Sequence, residues 1–120
     1  MTSKGNVTER SLDGRRFTAV ENENGEVSGD TVFTYHEADG TIWAEYAGGT
    51  VLRGYLVGTR QGDEIELRYV HLNVEGETAS GVCSTRIEFL DDGRAALHER
   101  WSWESRPGSG TSTVVELAGS

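Results

Sequence analysis

Glu99 stands out in this sequence as the residue placed to do chemistry, because of its company. In the run Leu97-His98-Glu99-Arg100-Trp101-Ser102-Trp103-Glu104, a period of two puts Leu97, Glu99, Trp101 and Trp103 on one face and His98, Arg100, Ser102 and Glu104 on the other. The second face is wholly polar, so the first is the buried one. A carboxylate in line with two indoles is desolvated, which raises its pKa and suits a general acid or the polar anchor of a ligand. A neighbouring Arg53 or His71 would lower it again and make Glu99 a structural ion.

The same reading of the other strands turns Trp43 and Glu45, Arg53 and Tyr55, and Tyr69 and His71 inward. Trp43, Arg53, Tyr69, His71, Glu99, Trp101 and Trp103 then line one cavity, aromatic with a small polar set, which is how ligand sites are usually composed. Glu99 and His71 are the catalytic candidates, with Glu45 as a second carboxylate for Glu99. The same side chains could instead fill the interior completely. His36 and His98 face outward and no short His spacing occurs, so no metal site is expected. Cys83 has no adjacent basic residue and packs as a small hydrophobe. No Gly-x-Ser-x-Gly, phosphate loop or cysteine pair occurs, and no cofactor is expected.

What must position these residues is a set of short strands. Sixteen glycines accompany a single proline, well above the usual ~7% for glycine. Many fall in Asp13-Gly14, Asn24-Gly25, Asp39-Gly40 and Asp92-Gly93, dipeptides that favour type I′ hairpin turns. Turn signals every ten or so residues, with no convincing 3.6-residue period, predict about eight strands in hairpin sequence. Pairing the last with the first removes both exposed edges, giving an all-β, single up-and-down antiparallel β-barrel; a two-sheet β-sandwich is the alternative. Residues 1–12 are polar and unpatterned and read as a disordered or loosely attached leader, with 13–120 the barrel domain.

At 120 residues the chain has room for one domain. Twenty acidic against 11 basic residues give a net charge of −9, which argues against nucleic acid or an anionic membrane as partner. No apolar run approaches the roughly 18 residues of a membrane helix. One cysteine excludes an internal disulfide, and Met1-Thr2-Ser3-Lys4-Gly5 lacks a signal peptide's apolar run, so a cytoplasmic location is expected. The sequence leaves the oligomeric state open.

Trp43-Ala44-Glu45-Tyr46-Ala47-Gly48-Gly49, Arg68-Tyr69-Val70-His71-Leu72-Asn73 and Leu97-His98-Glu99-Arg100-Trp101-Ser102-Trp103 resemble a family of short bacterial proteins of unassigned function, over nearly the whole span from Gly14 to Leu117. Members sometimes carry an N-acetylglutamate synthase label. Such an acetyltransferase needs a strand-to-helix glycine loop for the acetyl-CoA pyrophosphate, whereas the glycines here sit in hairpin turns. In plan the chain is similar to small lipocalin-like and avidin-like barrels, a likeness that implies fold and leaves function to the site. Three functions fit: a module binding a small, partly apolar molecule, a compact cyclase- or isomerase-type enzyme using Glu99 and His71, or a structural or partner-binding protein with a filled core.

Overall fold

Alternating side chains between glycine turns do build a closed sheet. The computed structural model describes residues 10–22 and 26–118, which contain eight strands and no helix. They are β1 (Arg16–Asn22), β2 (Val32–Ala38), β3 (Thr41–Gly48), β4 (Val51–Gln61), β5 (Glu64–Asn73), β6 (Thr78–Phe89), β7 (Ala95–Trp103) and β8 (Ser109–Glu116). Each pairs antiparallel with the next, and β1 pairs with β8, so the up-and-down barrel forms and the sandwich does not. The β2–β3 hairpin shows the turn chemistry directly: Asp39 and Gly40 have φ of 52° and 79°, as a type I′ turn requires.

The interior is one apolar core, with Phe17, Tyr35, Ile42, Ile65, Leu97 and Val114 fully buried. Of these, the aliphatic side chains and Phe17 each contribute about 1.5–3 kcal/mol by leaving water. The barrel's two ends differ. At the end holding the β2–β3, β4–β5 and β6–β7 turns, Leu12 is fully buried and its N–H donates to Glu37 Oε1 at 2.8 Å. The Arg60 guanidinium, itself buried, donates to the Arg10 carbonyl and to Glu37, and Arg15 pairs with Glu116 at 2.7 Å. That end is plugged. The opposite end, holding the β1–β2 and β7–β8 loops, is open.

Three expectations need correction. Residues 10–12 belong to the plug and not to a loose leader; residues 1–9 of that leader, and the Asn24-Gly25 pair, lie outside the described residues. On β3 the inward set is Ile42, Ala44 and Tyr46, leaving Trp43 and Glu45 outside. On β4 the register shifts between Val51 and Arg53, so Leu52, Arg53 and Tyr55 all face solvent while Gly54 and Leu56 face in. Trp43 is kept at the surface by stacking on His36, ring centroids 5.4 Å apart, and lies opposite Val57. The larger apolar residue thus sits outside because the charged Glu45 shares its face.

Candidate functional site

The open end leads into a pocket enclosing about 460 Å³, counting the part continuous with solvent. Its walls come from alternate residues of successive strands: Phe33 of β2, Tyr46 of β3, Leu56 of β4, Tyr69 and His71 of β5, Cys83 of β6, and Glu99, Trp101 and Trp103 of β7. Asn22 and Ser112 complete the ring from β1 and β8, and Glu26 and Val27 of the β1–β2 loop reach over it. The barrel therefore brings together Tyr69, His71, Glu99, Trp101 and Trp103 of the sequence-derived set, and leaves Trp43 and Arg53 on the outer surface.

The aromatic walls meet steeply. Trp103 makes edge contacts with Trp101 (5.2 Å between centroids, 62°), Tyr69 (5.8 Å, 66°) and His71 (5.9 Å, 78°), while Phe33 stacks on Tyr46 at 4.6 Å. Edge-to-face geometry suits the ring quadrupoles and holds each indole in place.

Glu99 accepts a hydrogen bond from Ser112 Oγ at 2.6 Å, and among the described residues no cation bonds it. Burial pushes its carboxyl up to about 7, against a smaller opposing effect of the Ser112 bond. The structural ion pair with Arg53 or His71 is not formed: Arg53 faces solvent, and His71 is engaged elsewhere. Burial also raises the Cys83 thiol and the Tyr35, Tyr46 and Tyr69 phenols, all of which stay neutral at pH 7.

His71 is buried between two partners. Its Nε2 lies 2.8 Å from Glu26 Oε1 and its Nδ1 lies 3.0 Å from the Tyr46 hydroxyl. With Nε2–H donating to the carboxylate, Nδ1 accepts from the phenol, making a carboxylate–imidazole–phenol chain. Glu26 also accepts from Asn73 Nδ2 at 3.0 Å and lies 3.3 Å from Arg106 Nη2. Desolvation raises the Glu26 carboxyl, but the bonds from His71 and Asn73 and the charge of Arg106 outweigh it, so Glu26 stays below the ordinary range. Arg106 in turn covers the Trp103 ring at 4.5 Å. Glu26 thereby pins the loop across the mouth.

Sequence reading missed Glu26, Arg106, Asn22, Tyr46 and Ser112. Tyr46 and Ser112 were within reach of it, since each alternates with apolar neighbours (Ile42, Ala44; Val114). Glu26 and Arg106 lie in loops without periodicity, and nothing local marks them. Among the described residues no group of three or more His, Cys, Asp or Glu is placed to hold a metal.

The model of the avidin-like protein family matches residues 10–117. Comparison with curated proteins and with solved structures gave no match. The family match covers nearly the whole chain, which includes the pocket, the plug and the loops at the mouth.

Proposed function

Since the chain belongs to the avidin-like family, we propose that it is a small-molecule binding protein and that its ligand, small and partly apolar, sits in the pocket at the open end. The observation that carries this reading is Glu99: a part-buried carboxyl on the cavity wall, in line with Trp101 and Trp103 on β7, that among the described residues accepts only from Ser112. A filled core would have no use for such a group, whose burial costs free energy until a partner donates to it. Tyr69, His71, Glu99, Trp101 and Trp103 form the binding set, joined by Asn22, Tyr46 and Ser112. A cytoplasmic setting belongs to the same proposal and is supported by the single, free cysteine.

The test is tryptophan fluorescence of the full chain against a panel of small molecules that includes biotin, beside mass spectrometry of gently purified protein for a co-purifying compound. Saturable quenching that Glu99→Gln weakens without unfolding the barrel supports the reading. No binding across the panel and no co-purifying compound would leave a barrel whose function lies on its surface.

One observation favours a second reading, an enzyme of cyclase or isomerase type. The Glu26–His71–Tyr46 chain and the Glu99 carboxyl, raised to about 7, are two proton-transfer groups on one cavity. Turnover of a bound compound, lost in Glu99→Gln, separates enzyme from binder.

A further inference from the structure

Building on the reading of this cavity as a ligand site, we propose that the ligand is an organic ammonium, a primary or secondary amine on an apolar body, held with its charge between Glu99 and the Trp101–Trp103–Tyr69 walls. The balance of donors and acceptors points there first. The hydroxyl and amide donors on the pocket wall are already engaged: Ser112 Oγ on Glu99, the Tyr46 hydroxyl with His71, the Tyr69 hydroxyl near the Ser102 carbonyl at 3.5 Å, and Asn22 Nδ2 on the Val27 carbonyl. Beside the indole N–H groups of Trp101 and Trp103, what remains are acceptors. Among the described residues Asn22 Oδ1 is buried with no partner, and the Glu99 carboxyl has only Ser112. N–H groups on a ligand satisfy both of these positions, which an anionic or acceptor-only ligand would leave unfilled.

Charge and ring geometry choose an ammonium over a neutral donor. No cation among the described residues bonds Glu99, so the cavity holds an acid without its counter-ion. Trp103 meets Trp101 and Tyr69 at 62° and 66°, making adjoining walls and not a closed stack. Steep aromatic walls around a carboxylate are the composition that recognises ammonium groups through the negative ring faces. The chain itself shows that this wall accepts a cation: the Arg106 guanidinium lies 4.5 Å over the Trp103 ring while pairing with Glu26. The net charge of −9 draws cations toward the molecule as a whole.

The experiment compares three probes of one shape on the full-length chain by tryptophan fluorescence: phenethylamine, 2-phenylethanol and 3-phenylpropanoate. Expected are saturable quenching by the amine, binding at least tenfold weaker for the alcohol, and none for the acid. Glu99→Gln should bring the amine down to the alcohol's affinity. Trp103→Leu, at a half-buried position, should narrow the amine-to-alcohol ratio, and far-UV circular dichroism checks that both variants fold. If the alcohol or the acid binds as well as the amine, or if Glu99→Gln leaves amine affinity unchanged, the ammonium assignment is overturned while the pocket remains a ligand site. If none of the three binds but another compound of the panel does, the assignment also falls; if nothing binds at all, it falls together with the ligand-site reading.

Discussion

The Tyr46 ring occupies the space that a side chain at Gly54 would take: a Cβ built on Gly54 would fall 2.4 Å from the ring. The two residues are cross-strand partners of β3 and β4, and Tyr69 and Gly81 repeat the relationship between β5 and β6, with a Gly81 Cβ falling 2.4 Å from the Tyr69 hydroxyl. Glycine on the inner face thus makes room for the two tyrosines that wall the pocket.

Gly54→Ala should therefore destabilise the barrel by about 1–3 kcal/mol, the usual cost of overpacking, because the Tyr46 ring must swing away from His71. Urea unfolding measures the cost. An unchanged midpoint would mean that the ring moves freely and that the Tyr46–His71 bond does not fix it.

Glu99 sets a pH dependence of definite sign. Its folded pKa is raised from 4.5 to about 7, so the folded protein holds a proton that the unfolded chain has released over that interval. Its contribution is fully present below pH 4.5 and is lost as pH rises through about 7, by at most about 3 kcal/mol. Glu99→Gln should flatten stability between those values and make the protein more stable than wild type at pH 8. Parallel wild-type and variant profiles in thermal unfolding would refute a buried, unpaired Glu99.

Glu26 works in the opposite direction. Its folded pKa lies below the ordinary 4.5, so its stabilisation is present above that value and is lost as pH falls through the lower folded one. Glu26→Gln removes a charge-assisted bond to His71, typically about 1.5–3 kcal/mol. Amide exchange at Thr31, whose N–H bonds the Ser28 carbonyl in the same loop, should accelerate in the variant while β5–β6 amides keep most of their protection. Equal acceleration throughout would show that the loop does not open separately.

Two truncations separate interior from surface. Trp101 is 8% exposed and Leu12 fully buried, so Trp101→Ala should cost about 3–5 kcal/mol and Leu12→Ala about 2–5 kcal/mol. Trp43, 39% exposed on the outer face, should cost under about 1 kcal/mol. A large loss at Trp43 or a small one at Leu12 would contradict the facing of β3 or the plug.

Strand number, closure and the facing of β7 were legible in the sequence because turn dipeptides are local and because the run from Leu97 to Glu104 offers a wholly polar face for contrast. β3 and β4 were not, since both of their faces carry apolar side chains: Trp43 competes with Ile42 and Tyr46, and Val57 with Leu56. The bulge at Val51–Arg53 then breaks the alternation on which facing is counted. Half of the pocket's polar character was hidden for another reason. His71 and Glu26 are 45 residues apart, and only closure of the sheet carries the β1–β2 loop over β5.

That closure also has a kinetic side. Seven of the eight strand pairings join consecutive strands. Only β1 with β8 brings together opposite ends of the chain, where the Leu117 N–H meets the Arg16 carbonyl at 2.8 Å. Ring closure thus carries the largest loop entropy and should follow the hairpins in time. Substitutions along the β1–β8 seam should chiefly speed unfolding, and those in the β4–β6 hairpins should slow folding.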